Sequence, residues 1–245
     1  MTRSAGRSAA VLFDMDGVLV DSTEAHVAAW TAFLAERGIA VPEGGVNSLF
    51  GRRAPEALSM LLDQEVDSPA VRAALGDLEA RATALLDEYA PGQQLVPGAR
   101  QLVDRLVEAG WRVAVVTSAR RHVAEHSLGP LLPAFEALVA AEDVDRGKPD
   151  PQAYLTAAAQ LGVPAAACVV VEDAVAGVQA GARAGMHVVA VPTTAAAEQL
   201  REAGAAEVLE RVTDLPQLLA REAGAVSAAV RADDRRRERG GSGDG

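Results

Sequence analysis

The chain has 245 residues, 49% of them hydrophobic and 23% charged; that is enough to bury one sizeable core, and it excludes global disorder. The net charge of -11 argues against nucleic acid or an anionic membrane as the partner. Cys168 is the sole cysteine, so no disulfide can form within the chain, as suits a reducing cytoplasm.

Residues 1–8 are small, polar and basic and read as a loose arm. Residues 9–13 form an unbroken apolar run ending at Asp14, the pattern of a strand buried on both faces. Asp14 and Asp16 end that run too soon for a signal-peptide core or a membrane span, and no later segment reaches a span's length without charge. Residues 25–37, 54–62 and 70–89 carry a 3.6-residue period without valine-rich runs and read as helices. Pro-Gly pairs at 91–92 and 97–98 mark a return to a different pattern. From there valine-rich runs at 112–117, 168–173 and 187–192 alternate with helical stretches such as 99–109 and 151–161. The expected fold class is therefore α/β: a doubly wound parallel sheet with an inserted helical cap. The expected division is a core domain from 1–21 and 93–223, a cap from 22–92, and a charged, glycine-rich disordered tail from 224–245. Aromatic residues are 3% of the chain, so alanine, valine and leucine must fill the core.

Ligands of open parallel sheets bind beyond the carboxyl ends of the strands. The first run ends in Asp14-Met15-Asp16-Gly17, the second in Thr117-Ser118, the third in Glu172-Asp173. Lys148 stands in a Gly-Lys-Pro turn before the helix that leads to the third run. It is the single lysine beside 22 arginines. Carboxylates, hydroxyls and one ammonium thus converge on one edge, an inventory suited to phosphoryl transfer. Asp14 is placed to attack phosphorus as a carboxylate nucleophile. Asp16, two residues on, is placed to protonate the leaving alkoxide and then deprotonate water. Gly17 permits the turn that puts Asp16 there. Asp14, Glu172 and Asp173 are the oxygen donors for a magnesium ion, and Thr117, Ser118 and Lys148 are placed to bind the phosphoryl oxygens by donating hydrogen bonds to them.

These segments resemble the four motifs of the haloacid dehalogenase (HAD) superfamily, in order. Val11-Leu-Phe-Asp-Met-Asp-Gly-Val-Leu-Val-Asp21-Ser22 is similar to the first and Val116-Thr117-Ser118 to the second. Gly147-Lys148-Pro149-Asp150-Pro151 is similar to the third and Val169-Val-Val-Glu172-Asp173-Ala-Val-Ala-Gly177 to the fourth. The insert resembles the helical cap of subfamily IA, which holds sugar phosphatases, glycerol-phosphate phosphatases and β-phosphoglucomutase. The resemblance implies a Rossmann-like core, an aspartyl-phosphate on Asp14, and Mg2+ held by Asp14, the main-chain carbonyl of Asp16, Glu172 and Asp173. It implies a small phosphorylated metabolite as substrate, in a cytoplasmic monomer or small homo-oligomer with no nucleic-acid or membrane partner.

On the cap, His26 is expected to face the site, and Arg52 and Arg53 are candidates to grip a substrate anion or hydroxyl. His122 and His126 are spaced i, i+4 without an acidic partner to complete a zinc set, and read as surface residues. Cys168 reads as inert core. Phosphatase action on a sugar or polyol phosphate is the expected reaction, with a β-phosphoglucomutase-like phosphomutase as its alternative and a non-catalytic phosphate-binding module behind both. A dehalogenase leaves Asp16 and the acidic pair unexplained, and a route through a cap lysine is closed because the cap has none.

Overall fold

A computed structural model describes residues 9–86 and 95–221, so the arm, the pair at 91–92 and the tail fall outside the described residues. The core is one six-stranded parallel sheet: β1 (Ala10–Phe13), β2 (Arg112–Val116), β3 (Ala137–Val139), β4 (Cys168–Glu172), β5 (His187–Ala190) and β6 (Glu207–Val208). The spatial order is β3-β2-β1-β4-β5-β6, with β1 at the centre. The four apolar runs expected as strands, three of them valine-rich, are all strands. The sheet adds two beyond those expected, β3 and β6, of three and two residues at its two edges. β6 carries no apolar run, and β3 lies in the alanine-rich run 137–141, whose periodicity does not separate strand from buried helix. Three strands end before their runs do: β2 ends at Val116, β4 at Glu172 and β5 at Ala190.

Parallel pairing sets Phe13 opposite both Val115 and Val171. That register brings the ends of the three central strands level. Alternation along β1 then sends Val11 and Phe13 to one face and Leu12 to the other. The first face packs on α4 (Ala99–Glu108) and α5 (Arg121–Leu128), through Leu102, Val103, Leu106, Ala124 and Leu128. The second packs on α6 (Gln152–Leu161), α7 (Val175–Arg183) and α8 (Ala197–Ala203), largely through alanine and valine. With small side chains, helices approach the sheet closely: a Cβ on Gly181 in α7 would meet Val188 Cγ2 at 2.9 Å.

Helices α1 (Thr23–Arg37), α2 (Ala54–Leu62) and α3 (Pro69–Leu86) lie between β1 and α4 and bury their own core of Trp30, Phe33, Leu34, Leu58 and Val71. The expected extension of α3 to Tyr89 lies outside the described residues. The insert leaves and re-enters at one place, because Val20 bridges Leu95 and the Val96 N–H donates to the Leu19 carbonyl at 2.9 Å. Among the described residues no helix is long and apolar enough to cross a membrane.

Leu12 sits mid-strand in β1 with no exposed surface. Leu12→Ala is expected to lower unfolding free energy by about 2–5 kcal/mol in urea titration. A loss under about 1 kcal/mol would contradict its central placement.

Candidate active site

The level strand ends place Asp14, Thr117 and Glu172-Asp173 side by side. Asp14 comes directly after β1, its N–H donating to the Val171 carbonyl at 2.9 Å. Lys148 reaches the same point from the loop before α6 and is 1% exposed. All three ammonium protons are used: Nζ donates to Asp14 Oδ1 at 2.5 Å, to Glu172 Oε1 at 2.7 Å and to the Val116 carbonyl at 3.1 Å. Glu172 Oε1 also accepts from the hydroxyl of Tyr154 on α6 at 2.6 Å, and Oε2 from the N–H groups of Asp173 and Ala174 at 3.1 and 3.3 Å. Gly177 in α7 admits that carboxylate, since a Cβ there would lie 1.7 Å from Oε1.

Asp173 is held by its backbone, whose carbonyl accepts from Thr194 Oγ1 at 2.8 Å. Its Oδ2 is buried with no hydrogen-bond partner. Asp14, Glu172 and Asp173 each offer an oxygen within 4.8 Å of the others, all three buried. A buried, orphaned carboxylate oxygen in a hard-oxygen cluster fits a divalent cation such as magnesium. Because Glu172 already accepts four hydrogen bonds, Asp14 and Asp173 are the freer donors. Gly17 (φ 74°) guards the space, because a Cβ there would fall 2.0 Å from Asp173 Oδ2.

The electrostatics come from three carboxylates meeting one ammonium away from water. Burial pushes Asp14 up to about 8, against the pull of Lys148 and helped by the charges of Glu172 and Asp16. Burial lifts Asp173 well above the carboxylate range, with the charges of Asp14 and Glu172 adding to it. Burial acts to lower Lys148, but Asp14 and Glu172 outweigh it and hold the ammonium above its ordinary value.

Asp16 lies on the loop beyond Asp14, where Oδ1 accepts from Ser22 Oγ at 2.6 Å and stands 4.0 Å from His26 Nε2. His26 thus faces the site from α1, its ring edge-on to Phe50. Thr117 is buried, its Oγ1 accepting from the Ala119 N–H at 3.0 Å. Ser118 points elsewhere: its hydroxyl donates to the Gly51 carbonyl in the cap at 2.8 Å. The two arginines of the cap part company. Arg53 is engaged by Glu56 and by the Val144 and Asp145 carbonyls. Arg52 lines the cavity with no ion pair among the described residues. The cavity between cap and core holds about 700 Å³; Asp14, Asp16, Thr117 and Asp173 line its core side, and Trp30, Leu49 and Phe50 its cap side. Further ties keep cap on core: Asn47 Nδ2 donates to the Thr194 carbonyl at 3.0 Å, and Arg120 pairs with Glu79 at 2.7 Å. His122 lies exposed at the cavity wall, as a surface reading expects, whereas His126 is half-buried.

A family model described as haloacid dehalogenase-like hydrolase matches residues 9–185. The chain belongs to the haloacid dehalogenase-like hydrolases. Hexitol phosphatase A of Escherichia coli (strain K12) is 41% identical over 195 residues, 78% of this chain and 86% of that one. Validoxylamine A 7′-phosphate phosphatase of Streptomyces hygroscopicus subsp. limoneus is 36% identical over 202 residues, 78% of this chain and 89% of that one. The fold matches β-phosphoglucomutase of Clostridium difficile with a TM-score of 0.75 at 24% identity, over 87% of this chain and 96% of that one.

Three residues of this haloacid dehalogenase-like site escape sequence reasoning. Tyr154 reads as helix core among alanines; the signal is its hydroxyl, which must find a partner when buried. Ser22 reads as a helix cap, yet its side chain makes no cap bond and turns to Asp16. Glu56 reads as an ordinary first-turn acid of α2.

A carboxyl raised by folding stabilises the fold while protonated. That contribution is whole below the ordinary value of 3.8 and lost as pH climbs through about 8. Without divalent metal, Tm is expected to fall as pH rises from about 4 to about 8, and excess magnesium to remove the fall. A metal-free Tm that stays flat across that window would count against this charge balance.

Proposed function

We propose that this hydrolase is a magnesium-dependent phosphatase that cleaves a sugar or polyol phosphate through an aspartyl-phosphate on Asp14. The observation that carries the reading is the buried Asp14–Lys148 pair at the floor of a cavity whose rim holds a second carboxylate, Asp16. Support also comes from relatives whose names make them phosphatases of a hexitol and of validoxylamine A 7′-phosphate.

In this reading the ammonium fixes Asp14 Oδ1, leaving Oδ2 to attack phosphorus opposite the leaving oxygen. Asp16, oriented by Ser22, gives its proton to the departing alkoxide. It then takes a proton from the water that attacks phosphorus and frees Asp14. Thr117 binds a phosphoryl oxygen, and Lys148 would join it by turning one of its three committed protons from a present acceptor to the phosphoryl group, while Ser118 spends its hydroxyl on the cap. Asp14, Asp173 and the Asp16 carbonyl would hold the magnesium ion, with Glu172 behind them. When bound, that ion supplies positive charge that lets an anionic carboxylate approach an anionic phosphoryl group. Arg52 and His26 face the leaving group from the cap.

A β-phosphoglucomutase-like reaction is the second reading, favoured by one observation: Arg52 lines the cavity without an ion pair among the described residues, and in this reading it would meet a second phosphate. Phosphate release from a panel of sugar and polyol phosphates, run beside conversion of β-glucose 1-phosphate to glucose 6-phosphate, separates the two. Release without isomerisation is expected, and isomerisation with little release would establish the mutase.

Asp14→Asn is expected to lower kcat by more than about a thousandfold while leaving the fold intact by circular dichroism. Substantial turnover by clean variant protein would sink the mechanism. Excess chelator is expected to stop turnover and magnesium to restore it, and an unchanged rate in chelator would refute the metal assignment.

A further inference from the structure

Cap and core meet at a junction that the chemistry of the reaction does not itself require. Arg53 immediately precedes α2, and Glu56 lies in its first turn. Glu56 Oε1 accepts from Arg53 Nε at 2.9 Å, from Arg53 Nη2 at 2.5 Å and from the Gly147 N–H at 3.1 Å. The same guanidinium crosses to the core, donating from Nη1 to the Val144 carbonyl at 3.1 Å and from Nη2 to the Asp145 carbonyl at 2.8 Å. One ion pair of the cap therefore holds three backbone groups of the core loop 144–147. Its side chains are 20% and 23% exposed, so these charge-assisted bonds are only partly open to competing water. Gly147 makes the approach possible: a Cβ there would stand 2.7 Å from Glu56 Oε2 and 2.8 Å from Arg53 Cγ.

The residue after Gly147 is Lys148, whose ammonium is fully committed to Asp14, Glu172 and Val116. Its loop has further anchors within the core: the Arg146 N–H donates to Gln152 Oε1, and the Gly147 carbonyl accepts from the Asp150 N–H, both at 2.9 Å. Arg183 on α7 also donates to the Pro149 carbonyl at 2.8 Å, and Arg146 pairs with Asp150 at 2.9 Å; the cap adds the bonds of Arg53 and Glu56. We propose that Arg53 and Glu56 are positioning residues that tie cap closure to the placement of Lys148, so that the nucleophile is fully set only when the cap is shut. Arg53 then acts through the loop and not on the substrate, and Arg52 is left as the arginine that meets the leaving group. Arginine suits the junction because its planar fork reaches Glu56 and two carbonyls at once.

The single lysine makes this directly measurable, because acylation reports on Lys148 and the chain's α-amine alone. Acylation by a sulfo-N-hydroxysuccinimide acetate reagent is followed by peptide mass spectrometry in wild type, Arg53→Ala, Glu56→Ala and the conservative Glu56→Gln. Lys148 is expected to react at least about tenfold faster in both alanine variants, with Glu56→Gln in between and the α-amine unchanged. Unchanged Lys148 reactivity in folded variants overturns the proposal; should an alanine variant fail to fold by circular dichroism, Glu56→Gln carries the same reading.

A second arm rests on the phosphatase reading and compares acetyl phosphate, whose leaving group is too small to reach the cap wall, with the best sugar phosphate. A positioning role lowers kcat for both by the same factor, about tenfold, with KM within about twofold. A loss confined to the KM of the sugar phosphate would make Arg53 a substrate contact and overturn the proposal. A wild-type protein inactive on every phosphate would sink the phosphatase reading alone, since the acylation arm still decides the junction.

Discussion

Three carboxylates and one ammonium share a space closed to water at the ends of three parallel strands, and the remainder of the site depends on how that charge is balanced. Each isolated ion would cost several kcal/mol to bury. Lys148 offsets part of this by spending its three protons on Asp14, Glu172 and a strand carbonyl. Glu172 is further secured by Tyr154 and two backbone amides, so it serves as the fixed end of the bridge. What Lys148 does not offset disfavours the ionised forms of Asp14 and Asp173, and the latter keeps an orphaned oxygen. Such a site fits a hard cation, which in the proposed reading also admits the dianion of a phosphate ester.

The fold divides the work. The sheet fixes the charges in register through ladder hydrogen bonds that depend on no functional side chain. The cap closes the cavity and carries the groups that face the leaving group, so substrate choice and chemistry can vary independently. Contacts across the junction are not evenly spread. Asn47 reaches the loop that supports Asp173, Ser118 reaches Gly51, and the Arg53–Glu56 pair reaches the loop that carries Lys148. Each tie on the core side lands on a segment adjoining a polar or charged residue of the site, which is the geometry expected if closure and catalytic readiness are linked.

Much of this was legible in the residues themselves. A buried strand must be apolar on both faces, so unbroken apolar runs located the four longest strands, and the polar residues that ended three of them located the site. Lys148 stood out as the single lysine in a chain that otherwise uses arginine. What stayed hidden has a common cause: it depends on which distant atom lies within hydrogen-bonding reach. Ser118 and Thr117 are neighbours in a strand-end pair, yet one hydroxyl meets the cap and the other lies buried in the core. Arg52 and Arg53 are adjacent and chemically identical, and only the position of Glu56 and of the carbonyls at 144 and 145 separates them. Tyr154 was concealed by the alanines around it. β6 was too short to leave an apolar pattern, and β3 was hidden in the alanine-rich run 137–141, which reads as readily as helix.

The central claim is that Asp14 carries the phosphoryl group. It is tested most directly by rapid acid quench during turnover of an active sugar or polyol phosphate, with mass spectrometry of the peptide that contains Asp14. The account expects a transient mass increase of one phosphoryl group on Asp14, absent in Asp14→Asn. Steady turnover with that peptide unmodified, or with the phosphoryl group on another residue, would contradict it.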